Sequence, residues 1–109
     1  MPKKSMELLT ESMFYVLMAF CQNPMCGIDV AEYIETKTLG RVIIGPATLY
    51  TILAKFEKEK YIKETNVEGR KRTYCITSKG RDAYRLELQR LQQCILDAGL
   101  GVVGGEQNG

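Results

Sequence analysis

A chain of 109 residues holds one domain of about the usual 100–200 residues and is too short for a barrel enzyme. With 45% hydrophobic and 26% charged residues it is expected to fold as a globule, and its longest apolar run, the nine residues 13–21, falls well under the roughly 20 that a membrane-spanning helix needs. The net charge of +2 conceals a division: residues 41–81 carry ten bases against four acids, or +6, and the remainder five against nine, or −4, so one face is expected to be electropositive, either as a solvated surface or as a seat for a polyanion.

From residue 6 to residue 22 nothing breaks a helix, and Leu9, Met13, Val16, Leu17 and Phe20 recur at helical spacing. Phe14, Met18 and Cys21 widen this stripe, which predicts a helix enclosed on most sides, by a partner chain as well as by its own domain. Asn23 and Pro24 end it. A shorter helix fits residues 27–37, with Ile28, Ala31 and Ile34 inward and Asp29, Glu32 and Glu35 outward. Residues 38–45 connect it to a third helix over 46–60, opened by Pro46. There Leu49, Ile52, Leu53 and Phe56 gather on one side, and Thr48, Thr51, Lys55 and Lys58 on the other, with Ala47 and Ala54 at its edge. Small residues allow close approach while Thr and Lys supply donors, so this outer face suits phosphates and base edges.

Two runs rich in β-branched and aromatic residues, 61–67 and 73–77, flank the turn Glu68-Gly69-Arg70-Lys71-Arg72 and predict a hairpin with three cations at its tip. Thr77 or Ser78 can cap a last helix that runs to about residue 98. Along it Tyr84, Leu88, Leu91, Ile95 and Ala98 follow the spacing of a coiled-coil seam, with Leu86 at its flank, and in so small a domain a dimer seam is favoured over core. The glycine-rich residues 99–109 are expected to form a flexible tail.

Histidine is absent, which removes Ser-His and Cys-His pairs, imidazole metal ligands and a general base poised near neutrality; neither an enzyme nor a cofactor is expected. Cys21, Cys26, Cys75 and Cys94 each have an apolar neighbour and read as buried thiols, with a redox or metal sensor as the second reading. The spacing of Cys21 and Cys26, across Pro24, is not that of a zinc knuckle. No export signal is recognisable, so a cytoplasmic location with no membrane partner is expected.

Helix, helix, helix, hairpin and helix is the order of a winged helix-turn-helix domain, mainly α within the α+β class, over residues 1–98, with the third helix entering the major groove and the hairpin as its wing. The segments Leu9-Thr10-Glu11-Ser12-Met13-Phe14-Tyr15-Val16-Leu17, Pro24-Met25-Cys26-Gly27, Gly45-Pro46-Ala47-Thr48-Leu49-Tyr50, Gly69-Arg70-Lys71-Arg72-Thr73-Tyr74 and Thr77-Ser78-Lys79-Gly80 resemble the PadR family of transcriptional regulators, in the same order and spacing, over roughly residues 8–98. The resemblance implies a homodimer, closed through the last and first helices, that represses from an inverted-repeat operator in double-stranded DNA and is released by a small molecule or other signal. It places the chain among members with a single C-terminal helix. Cys26 stands where the family commonly has His, Ile28 where Tyr is frequent, and Lys60 where Gly usually turns the chain in a left-handed conformation. With no Trp, the capture of planar drugs seen in some members is not carried over.

Thr48 and Thr51 are thus expected to approach bases or phosphates, Lys55 and Lys58 to neutralise phosphate, and Arg70, Lys71 and Arg72 to grip phosphate or enter the minor groove. For Tyr50, a hydroxyl donated to the DNA backbone is implied by the resemblance. Met6, Leu9, Met13, Tyr84, Leu88, Leu91 and Ile95 form the expected dimer interface. Between the first and last helices Met6, Leu9, Met13, Leu88, Leu91 and Ile95 either line a channel for an apolar effector or simply pack together. Two rival functions stay open: a winged helix used only for protein–protein interaction, and a thiol- or metal-responsive sensor.

Overall fold

The computed structural model describes residues 9–99. Helix α1 (Glu11–Gln22) begins five residues later than its apolar stripe suggests, because Thr10 caps it: the threonine hydroxyl accepts the amide of Met13 at 3.1 Å, holding residues 9 and 10 outside the helix. The chain then forms a two-residue strand, β1 (Met25–Cys26), which is too short to leave a periodic signal in the sequence. Helix α2 (Gly27–Lys37) has the predicted bounds but a different inner face. Gly27, Val30 and Ile34 are buried, whereas Ile28, expected inward, is 66% exposed. Gly27 faces α3, where an added Cβ would make ordinary contact with the side chains of Leu49, Leu53 and Tyr50 at 3.6 Å.

The connection to α3 is fastened by Thr38, whose hydroxyl donates to the carbonyl of Ile34 at 2.9 Å and accepts the amide of Val42 at 3.0 Å, and it drops Val42 and Ile44 into the core. Helix α3 (Pro46–Lys58) stops two residues short of the expected end. Lys60 follows in the left-handed region at φ 67°, the conformation that the resemblance implied for this position. Strands β2 (Ile62–Glu68) and β3 (Lys71–Ile76) pair antiparallel from Ile62↔Ile76 to Glu68↔Lys71, with an irregularity between Glu64 and Asn66. Strand β1 joins the other edge of β3, giving the order β1-β3-β2. Helix α4 (Ser78–Asp97) is capped by Thr77, whose hydroxyl accepts the amide of Gly80 at 3.0 Å.

This is a winged helix. Its core is built from every element up to β3: Val16, Leu17 and Phe20 of α1, Val30 and Ile34 of α2, and Leu53, Phe56 and Ile62 are all 2% exposed or less. Helix α4 contributes less, leaning on α1 through a stacked pair, Phe14 and Tyr84, with ring centroids 5.0 Å apart. From residue 92 onward its described residues are all exposed.

Candidate nucleic-acid interface

Burial divides α3 as its sequence predicts. Leu49, Ile52, Leu53 and Phe56 are buried, while Ala47, Thr48, Tyr50, Thr51, Ala54 and Lys58 are exposed and Lys55 is half-buried. The exposed face is bounded by two grooves that sequence reasoning did not anticipate. On one flank the start of α1 and the residues Thr48, Thr51 and Lys55 enclose about 540 Å³. On the other, Tyr50 meets Arg70, Lys71 and Arg72 of the wing and Ile28 of α2 around about 620 Å³. The predicted DNA-contacting residues thus fall into two sets: Thr48, Thr51 and Lys55 toward α1, and Tyr50 with the cations toward the wing. Thr51 donates its hydroxyl to the carbonyl of Ala47 at 3.0 Å, so it meets an incoming ligand as a donor only after rotating.

The wing departs from expectation at its tip. The turn contains Gly69 and Arg70 alone, because Gly69 takes the left-handed conformation at φ 62° and Glu68 pairs directly with Lys71. Lys71 and Arg72 therefore stand on β3. Arg72 has its Nε 3.5 Å from a carboxylate oxygen of Glu64 and also meets the Tyr74 hydroxyl. Burial, with the nearby charge of Glu57, raises the pKa of that phenol above its ordinary range against the opposing pull of Arg72.

Of the expected interface residues, Met6 lies outside the described residues. Leu9 and Leu91 line one groove of about 300 Å³ between α1 and α4, whereas Met13 is buried in the core and faces the groove beside α3. Tyr84, Leu88 and Leu91 are half-buried and Ile95 is exposed. Beside Leu91 sits a feature missed in the sequence: Glu87, only 7% exposed, is held by both Nε and Nη2 of Arg90. Its only sequence signal is an acid and a base three residues apart, a common surface pattern. A second missed network anchors the α2–α3 connection to α1, where Arg41 donates to Tyr15 at 2.8 Å and to Glu11 at 3.4 Å.

The cysteines are less uniform than predicted. Cys26 is buried, with its thiol 3.3 Å from a carboxylate oxygen of Asp29; Cys21 and Cys75 are half-buried; Cys94 is exposed on the free end of α4. Burial pushes the Cys21 thiol up, against the charges of Arg81 and Arg85. Among the described residues no group of three or more Cys, Asp or Glu side chains is placed to hold a metal ion, and no helix is long and apolar enough to cross a membrane.

Comparison with known proteins agrees with this geometry. Residues 16–86, more than half of the chain, match the transcriptional regulator PadR-like family. A transcriptional regulator from Clostridium thermocellum superimposes with a TM-score of 0.72 at 26% identity, over 80% of this chain and 88% of that one. PadR of Bacillus subtilis, solved in complex with operator DNA, shares the fold with a TM-score of 0.64 at 18% identity, over 72% of this chain and 47% of that one. A 37.1 kDa protein in transposon TN4556 of Streptomyces fradiae is 30% identical over 77 residues, 71% of this chain, which spans only 22% of that relative's length. Matched segment, wing and recognition helix agree, and the chain belongs to the PadR-like family of transcriptional regulators.

Proposed function

We propose that the protein binds double-stranded DNA as a homodimer in the cytoplasm, represses transcription from an inverted-repeat operator, and leaves it when a signal arrives. The carrying observation is the outer face of α3, where Ala47, Thr48, Thr51, Ala54 and Lys58 form an exposed surface without a carboxylate and adjoin a wing bearing Arg70, Lys71 and Arg72. A helix with that face fits the major groove, where Thr48 and Thr51 reach bases or phosphates and Lys55 and Lys58 neutralise the backbone. Tyr50, 60% exposed, donates its hydroxyl to the strand on the wing side, and Arg70 at the tip takes the phosphate or minor groove beyond. That PadR of Bacillus subtilis, which has the same fold, was solved in complex with operator DNA supports reading duplex DNA as the partner.

Dimerisation uses the free end of α4, where Ile95 and Leu96 expose apolar side chains, with Leu86 exposed nearer the helix start. Two heads related by a twofold axis then read half-sites about one helical turn, roughly 34 Å, apart. The effector is a small apolar molecule or a change at this same interface.

Titrating labelled duplex against salt tests the reading, with a steep fall of log affinity expected and a flat plot overturning it. Replacing Lys55 with Ala is expected to weaken all sequences alike, by about three- to tenfold, whereas Thr48→Ala should alter discrimination between operator and unrelated duplex.

A further inference from the structure

We propose that the groove between the start of α1 and the flank of α3 seats a DNA phosphodiester, with the Ser12 hydroxyl as a backbone anchor. The inference rests on the DNA-binding reading above and extends the contact surface to a helix that reading does not use. A recognition helix about 10–12 Å across fills a major groove about 12 Å wide, so a sugar–phosphate strand runs along each of its flanks. The wing and Tyr50 guard one flank of α3. The other is closed by α1, across a groove of about 540 Å³ whose walls present Ser12, Thr48, Thr51 and Lys55 above a floor that includes Met13 and Ile52.

The chemistry of these walls selects a phosphodiester. Its non-bridging oxygens are acceptors carrying one negative charge, and they need donors with no carboxylate nearby. Among the described residues no Asp or Glu lines this groove, whereas Asp29 lines the one beside the wing. Glu11, adjacent to Ser12 in the chain, is drawn toward Arg41 at 3.4 Å. Thr10 accepts from the amide of Met13 and Thr51 donates to Ala47, while the hydroxyls of Ser12 and Thr48, one on each wall, have no hydrogen-bond partner among the described residues. A phosphate in the groove receives its donor from Ser12 and its counter-charge from Lys55, which leaves the Thr48 hydroxyl, on the other wall, able to reach a base edge.

Ser12→Asp tests this with an unusual separation of effects. An acid in the first turn of a helix favours folding through the helix dipole, yet here it would face a phosphate. Binding of the full chain to its selected operator and to an unrelated duplex of equal length is measured by fluorescence anisotropy over a range of salt, alongside thermal unfolding. The expected result is about a tenfold or greater loss of affinity for both duplexes at low salt, a salt slope shallower by about one, and a Tm no lower than wild type. Ser12→Ala should weaken both duplexes about two- to fivefold, the scale of one neutral hydrogen bond. Ser78→Asp, which adds the same charge at the start of α4 away from this groove, is the control and should lose less than twofold. Affinity of Ser12→Asp within twofold of wild type, a loss confined to one sequence, or a loss matched by the control overturns the proposal. If wild type itself shows no salt-dependent affinity for duplex, the DNA-binding reading fails and takes this one with it.

Discussion

The hydroxyl of Thr77 lies 2.6 Å from the carbonyl of Lys60 and accepts the amide of Gly80 at 3.0 Å, so one side chain ties the chain leaving the recognition helix to the first turn of α4. Both neighbours of this knot are backbone positions under steric constraint. A Cβ on Gly80 would fall 2.2 Å from the carbonyl oxygen of Tyr61 and 2.8 Å from Cγ1 of Ile76, and the backbone carbonyl cannot swing away as a side chain can. Gly80→Ala is therefore expected to lower stability by about 1–3 kcal/mol, seen as a fall in Tm, with α4 pushed off the sheet. Lys60 is the opposite case. Its left-handed backbone at φ 67° costs about 1–2 kcal/mol for a side-chain-bearing residue, against about 0.4–1 kcal/mol of extra unfolded-state entropy for glycine. Lys60→Gly should thus stabilise by about 0.5–1 kcal/mol, raising Tm by a few degrees in thermal unfolding. The sequence exposes the Lys60 strain through its resemblance to relatives with glycine there. Nothing local to Gly80 announces a carbonyl nineteen residues earlier, because that contact exists only once the hairpin has closed.

Among the elements, α4 is the one to which the proposed function gives a role that depends on a second chain. Its first half is fixed by the Phe14–Tyr84 stack and by the buried Glu87 clasped to Arg90, while its last turns expose Ile95 and Leu96 at about half of their surface. Ile95→Glu should leave the winged helix folded and convert the proposed dimer to monomer in sedimentation. Because two linked heads bind far more tightly than one, operator affinity should then drop by at least about 100-fold; a dimeric variant of unchanged affinity would remove α4 from the interface. The heptad-like spacing made this seam legible as a stripe, yet could not divide it between core and partner. Tyr84 went to α1 and Ile95 to the surface, a split set by where α1 ends against α4. The recognition helix was read more fully, since its 3.6-residue pattern separates buried from exposed positions without reference to any other element.

Across the whole molecule, charge and titration follow from composition together with burial. With no histidine, no imidazole titrates between pH 6 and 8, and operator affinity should be nearly flat over that range. At alkaline pH the expectation differs. Burial raises the pKa of Tyr74 and Tyr84, and of the Cys21 thiol, so the folded state holds these protons more tightly than the unfolded one. Their contribution is complete below the ordinary thiol and phenol values and is lost as pH rises through the raised ones, so Tm should decline above about pH 9–10. Tyr84→Phe, which keeps the ring against Phe14, should soften that decline. The amino-acid sequence by itself determined the helices, the hairpin, the family and the polar face of α3, because helical period, turn chemistry and capping act over a few residues. Only the tertiary structure decided that β1 exists, that Ile28 faces outward, that Arg72 is shared with Glu64, and that Ser12 of α1 stands across a groove from Thr48. Each of these depends on distant segments meeting, and the distance between them in space leaves no trace in their local spacing.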